Sequence, residues 1–189
     1  MIDKPLAGRT IAVLLANGFE EEEFTEPQKR LIEAGATTKI VSRANGLVNG
    51  WYEGSWGHFF PIDQDLAETL AIDYDGLVVP GGSRAVDKLA EEPHASRVIK
   101  AFVRAGAPVT IIGHAVGLLA TLELAKGRTV TSSADARAQL EEAGATWQEI
   151  THLTEGNLVT ASGVSGVQAA MVDFIEKVAG YDNEDAQAA

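Results

Sequence analysis

The 189-residue chain reads as a three-layer α/β sandwich on a mostly parallel sheet. Three observations predict this. Short continuous apolar runs recur along the chain, as strands buried on both faces require. Helical stretches separate them, so strands are joined by crossovers that pack back on the sheet. No internal repeat or low-complexity linker breaks the alternation.

Thr10–Ala16 is the first buried strand, ending at Asn17-Gly18. Glu22–Ala34 follows as a helix with Gly35 as its stop and Pro27 near its first turn, where proline is tolerated. Thr37–Ser42 is β-rich, completing a βαβ unit. Residues 43–60 mix Gly46, Gly50, Gly54 and Gly57 with Leu47, Trp51, Trp56 and Phe59, which suggests a projecting hairpin or loop. Asp65–Ile72 reads as a short helix, and Gly76–Pro80 as a buried strand broken by Gly81-Gly82. His94–Ala105 is helical, with Val98, Ile99 and Phe102 on one face; Pro108–Ile112 is the next strand. Ala115–Ala125 reads as a helix buried on most sides, Ala134–Ala143 as an amphipathic helix, Leu158–Ala161 as a strand and Gly166–Val178 as the closing helix. Residues 1–180 are thus expected to form one domain, and 181–189 a flexible C-terminal tail.

Composition excludes several functions. Net charge is −12, from 27 acidic and 15 basic residues, and no Lys/Arg cluster offers a patch for nucleic acid or an anionic membrane. There is no cysteine, hence no disulfide, thiolate ligand or thiol nucleophile. The four histidines, at 58, 94, 114 and 152, show no i, i+4 pair and no completing carboxylates, so neither a metal nor another cofactor is expected. No signal peptide or membrane span is visible, and a cytoplasmic location is expected.

Sites in open parallel sheets form outside the carboxyl ends of the strands. Three such ends stand out. After the first strand come Glu20, Glu21, Glu22 and Glu23; acids suit a helix start, but at helical spacing at least one should face the sheet end. After the third, Gly81-Gly82 forms either a tight turn or an anion nest of backbone amides. After the fourth, the chain passes from strand to helix through Gly113-His114, the geometry of a nucleophile elbow with no side chain at its apex. His114 is either a structural histidine or a catalytic one. No G-x-G-x-x-G or Walker loop occurs, and Gly163–Val167 lacks the hydrolase elbow spacing. Trp51, Trp56 and Phe59 suit core or dimer packing better than ligand stacking.

Five blocks then carry a resemblance: Ile11–Leu14 with Gly18–Glu23, Gly76–Gly82, Ile112-Gly113-His114, Gly144–Trp147 and Glu155–Val159. In this order they resemble the ThiJ/PfpI family of the class I glutamine amidotransferase-like superfamily, which includes the parkinsonism-associated deglycase and the intracellular proteases/amidases. The likeness spans about residues 9 to 180. It implies a flavodoxin-like α/β/α sandwich, a homodimer or larger homo-oligomer, and a reactive cysteine in a Cys-His-Gly elbow. The cysteine position falls on Gly113, the histidine on His114 and the glycine on Ala115. The glutamate that bonds the cysteine falls on Glu23, so that Glu23 is expected to lie inward and Glu20 to Glu22 to stay mostly exposed; Gly82 would supply an amide. The acid that pairs with the histidine across a subunit interface falls, by a weaker match, on Asp87. The family's arginine after the late strand is absent, since Thr160-Ala161-Ser162-Gly163 stands there.

The family's thiolate chemistry, whether peptide hydrolysis, deglycation or glyoxalase III-like hydration, cannot run through Gly113. Two expectations follow. One is a non-catalytic or stress-related homologue that binds a small molecule. The other is a cysteine-independent acid–base enzyme, a hydratase, lyase or glyoxalase III-like protein, acting on a small carbonyl compound through Glu23 and His114.

Overall fold

A computed structural model describes residues 3–183. In chain order the elements are β1 (Thr10–Leu14), β2 (Phe19–Glu20), α1 (Glu21–Glu33), β3 (Thr37–Ser42), β4 (Leu47–Tyr52), β5 (Ser55–Pro61), β6 (Gln64–Asp65), β7 (Gly76–Val79), α2 (Ser83–Glu91), α3 (Pro93–Arg104), β8 (Val109–Ile112), α4 (Leu118–Thr121), β9 (Thr129–Val130), α5 (Arg137–Glu142), β10 (Thr146–Trp147), β11 (His152–Glu155), β12 (Leu158–Ala161) and α6 (Val164–Ala179). The main sheet runs β11-β12-β8-β7-β1-β3-β6. Only β11 is antiparallel to its neighbour. This is the three-layer, mostly parallel sandwich that the alternation predicts, in the flavodoxin-like form that the resemblance implies.

The sheet divides the core by strand alternation. Ala12 and Leu14 of β1 face one layer with Val86, Leu89, Ile99 and Phe102 of α2 and α3. Ile11 and Val13 face the other, with Phe24 and Leu31 of α1 and Met171 and Phe174 of α6. Phe24, Phe102 and Phe174 are fully buried, each contributing roughly 2–3 kcal/mol by leaving water.

Local expectations fail where tight turns win over helical pattern. The Ala115–Ala125 run is a 3-10 turn over Gly113–Gly117 followed by only four α-helical residues. The chain stops there because Glu123 takes a positive φ of 59°. Asp65–Ile72 is two separate 3-10 turns; the Asp65 side chain accepts the Ala67 N–H and caps the first. The segment from Ala134 starts as a 3-10 turn and becomes α-helical only at Arg137. Pro27 lies well inside α1, not in its first turn. Having no N–H, it leaves the Glu23 carbonyl without its helical donor. The helix α2, read as part of a glycine turn, is an addition, as are the short strands β9 to β11. Of the expected tail, Asn183 is held: its Nδ2 donates to the Ile72 and Tyr74 carbonyls. The remainder, 184–189, lies outside the described residues.

The 43–60 segment is a hairpin. β5 pairs with β4, and β4 with β2, in a separate three-stranded sheet. Phe60 packs edge-on against Phe19 and Phe24. Trp51 lies beneath the Arg84 guanidinium, 3.8 Å from it. Trp56 and Phe59, in contrast, are 51% and 64% exposed on the outer strand, so they do not pack in the core.

Candidate functional site at the strand ends

The crossover from β1 to β3 places α1 on one face, and the crossover from β7 to β8 places α2 and α3 on the other. β1 and β7 are neighbours, so the crevice outside their carboxyl ends is the switch point where such sheets hold ligands. Glu23 enters it from the first turn of α1.

Glu23 is 7% exposed and its carboxyl lies among backbone rather than side chains. The Gly81 N–H donates to Oε2 at 2.8 Å. A side-chain carbon built on Gly113 would fall 2.5 Å from Oε1, and one on Gly81 2.5 Å from Oε2. Gly163, after β12, stands next to Oε1 at 3.8 Å by the same measure. The close approach therefore depends on glycine at 81 and 113. Gly113 also has φ +60°, which an L side chain adopts only with strain. Burial pushes the Glu23 carboxyl up to about 7; the Gly81 N–H opposes this, and the charge of Glu20 adds to it.

Rotation along α1 distributes the other acids. Glu22 is exposed and Glu20 half-buried. Glu21 departs from the expectation that Glu20 to Glu22 stay mostly exposed: it is only 4% exposed. Its Oε1 accepts the His58 backbone N–H and its Oε2 lies 2.9 Å from His58 Nδ1. Gly50 and Gly57 of the hairpin leave the space its side chain occupies. Nothing local in the sequence marks this, because the partner lies 37 residues downstream.

The other predicted residues separate. The His114 ring is bonded to another carboxylate: its Nδ1 is 2.9 Å from Asp135 Oδ2. Its backbone N stays at the crevice, near Gly81. Asp87 is exposed on α2; within the chain, the carboxylate that bonds His114 is Asp135. Ala115 is fully buried in the core beneath the elbow. Gly82 has φ +106°, and its Cα passes so close to Gly18 and Glu20 that a side-chain carbon would meet the Gly18 carbonyl at 2.6 Å. That contact holds the loop after β7 against the start of α1. Asp135 and Ser133 escaped the sequence reading; their only signal was that Ser132, Ser133 and Asp135 cluster at the start of the helix predicted over Ala134–Ala143.

Among the described residues no three His, Asp or Glu side chains gather to hold a metal ion. No described helix is long and apolar enough to cross a membrane.

Fold and crevice together define a flavodoxin-like protein whose polar groups meet at a strand-to-helix elbow. Residues 9–177 match the DJ-1/PfpI family, and the chain belongs to it. It is 30% identical over 168 residues to the deglycase TK1284 of Thermococcus kodakarensis, covering 88% of this chain and 97% of that protein. Among solved structures it resembles Drosophila melanogaster DJ-1beta, with a TM-score of 0.80 at 25% identity over 95% of this chain and 94% of that one. It also resembles a ThiJ/PfpI domain protein from Brachyspira murdochii, with a TM-score of 0.83 at 22% identity over 93% and 99% of the two chains.

Proposed function

We propose that this chain is a DJ-1/PfpI-family protein that has given up thiol chemistry and uses the elbow crevice to bind a small molecule. One observation carries the reading. Glu23 Oε1 stands 2.5 Å from where any side chain at position 113 would begin. A carboxyl therefore occupies the entrance that a nucleophile would need, and the chain has no cysteine to supply one. Its neighbours are glycines and backbone amides, which can bond a ligand without a covalent step. The same group favours a second reading. A carboxyl that titrates at about 7 can exchange a proton with a small carbonyl compound near neutral pH.

One experiment separates the two. Purified wild type and Glu23→Gln are incubated with methylglyoxal, and its disappearance is followed. The binding reading expects no turnover above the uncatalysed rate in either protein. Turnover by wild type that Glu23→Gln abolishes would overturn it in favour of acid–base catalysis. Iodoacetamide should change nothing in either case, because there is no thiol to alkylate.

Self-association belongs to the same proposal. The outer strand β5 leaves Trp56 and Phe59 exposed and carries no acidic residue, so two copies of a −12 chain can meet there with least repulsion. Sedimentation at micromolar concentration should give a mass above the 20.0 kDa of one chain.

A further inference from the structure

The chain carries three Asn-Gly pairs, Asn17-Gly18, Asn45-Gly46 and Asn49-Gly50. Such a pair is labile wherever it can close on itself. The backbone nitrogen after an asparagine can attack the side-chain amide carbon, and glycine leaves that nitrogen unshielded because it has no Cβ. Whether the ring closes depends on how firmly the nitrogen, the amide and the backbone between them are held.

Two of the pairs are held, largely by each other. Asn17 Oδ1 accepts the Asn49 N–H at 2.8 Å. The Gly18 N–H, on the nitrogen that would attack Asn17, donates to the Asn49 carbonyl at 2.8 Å. Asn49 and Gly50 lie in β4, which is paired with β2 on one side and β5 on the other. Gly50 is packed against the stem of Glu21, and Asn49 Oδ1 is out of reach of solvent. A strand fixed between two neighbours cannot bend back to close a five-membered ring.

The third pair is differently placed. Asn45 and Gly46 are exposed in the turn from β3 to β4. Among the described residues, neither the Asn45 side chain nor the Gly46 N–H has a hydrogen-bond partner. Gly46 is tied through its carbonyl alone, which accepts the Ile62 N–H at 3.1 Å and closes the open end of the hairpin.

We propose that Asn45 is a self-modifying site, which deamidates through a succinimide while the fold protects Asn17 and Asn49. The Gly46 nitrogen gives its proton to solvent and forms a bond to the Asn45 side-chain carbon. The bond from that carbon to Nδ2 breaks, and the amide nitrogen takes up a proton and leaves as ammonia. One water then opens the ring at either carbonyl, giving aspartate or isoaspartate; nothing is oxidised or reduced. Each event adds a negative charge two residues from Arg43. The isoaspartate branch also lengthens the backbone by one carbon directly before the residue whose carbonyl holds Ile62.

The test is a time course of the folded full-length protein in mildly alkaline buffer, sampled by trypsin digestion in mild acid and mass spectrometry. Cleavage after Arg9, Lys29, Arg43 and Arg84 puts Asn17 in one peptide and Asn45 with Asn49 in another, where fragment ions separate them. Asn45 should convert at least about tenfold faster than Asn17 or Asn49, since hydrogen bonds that must break before the ring can close are worth that much. Aspartate and isoaspartate should form together, the mark of ring opening. In guanidinium chloride the three sites should converge, because the dipeptide is the same and only the fold separates them. Asn45→Gln, whose ring would be one atom larger, should abolish the fast acidic species seen by isoelectric focusing. Equal rates in the folded protein, a difference that survives unfolding, aspartate without isoaspartate, or a fast acidic species that persists in Asn45→Gln would each overturn the proposal.

Discussion

Glu21 and Glu23 stand two residues apart in the first turn of one helix, and both are buried. Their surroundings make them different groups. Glu21 enters the β4–β5 hairpin and is bonded through both oxygens, to the backbone and ring of His58. Glu23 enters the strand-end crevice and takes its protein hydrogen bond from Gly81 at one oxygen. Each side chain fits because glycines make room, at 50 and 57 for the first and at 81 and 113 for the second. Glycine grants entry in both places; the number of partners decides what the carboxylate does afterwards. Glu21 fastens a hairpin to the helix. Glu23 is left able to hold or release a proton.

The sharpest way to break the comparison is to close the first cradle. A methyl at Gly50 would strike the stem of Glu21 as well as its carboxylate. Gly50→Ala should therefore expel the carboxylate from the His58 N–H and cost about 3–4 kcal/mol, from overpacking together with the hydrogen bonds lost at a buried carboxylate. The readout is a lower urea midpoint, with faster hydrogen exchange across residues 47–61. An unchanged midpoint would show that Glu21 fastens nothing.

The next effect depends on pH. Folding raises Glu23 from 4.5 to about 7. Between those values the folded chain holds a proton that the unfolded chain has lost. Stability contributed by this group is complete below pH 4.5, falls as pH rises through the window, and is flat above about 7. The full loss is at most about 3 kcal/mol. Glu23→Gln keeps an acceptor for Gly81 and removes the charge, so its denaturation midpoint should drop less between pH 5 and pH 8 than that of wild type. Parallel curves for the two proteins would place Glu23 in water.

Closing the second cradle should cost less than closing the first. At Gly113 a methyl meets only the tip of Glu23, which can rotate, while φ of +60° adds strain. Gly113→Ala should lose about 1–2 kcal/mol, read as a shift in melting temperature. A loss as large as that of Gly50→Ala would mean that Glu23 is as firmly held as Glu21. The smallest effect concerns the outer face of the hairpin. Arg84→Met removes the guanidinium from the Trp51 ring and should cost about 0.5–1 kcal/mol, visible as a change in tryptophan fluorescence before unfolding.

The contrast also explains what could be read in advance. β1, β7 and β8 are legible because strands buried on both faces leave uninterrupted apolar runs; helical rotation says that one of the four glutamates after the first of them turns inward, and the family resemblance picks Glu23. Glu21 has the same residue type and the same helix turn, yet its burial depends on Gly50 and Gly57 across a hairpin. Asp135 is an exposed carboxylate twenty-one positions from the histidine it bonds. Such pairings are made by the folded chain and leave no local pattern. The helix α2 was hidden for another reason. Its signal, Ala85, Val86 and Leu89, begins directly behind two glycines that read as a turn.

The uncharged outer strand β5 has a consequence for the protein as a colloid. At neutral pH the self-repulsion of −12 charges keeps copies from meeting in the wrong register. That repulsion vanishes near the isoelectric point of about 4.7, while Trp56, Phe59 and the free strand edge keep their attraction. Under the proposed association along β5, mild acid should therefore turn an ordered contact between copies into indiscriminate clumping, at a pH where Glu23 is already uncharged in the folded chain.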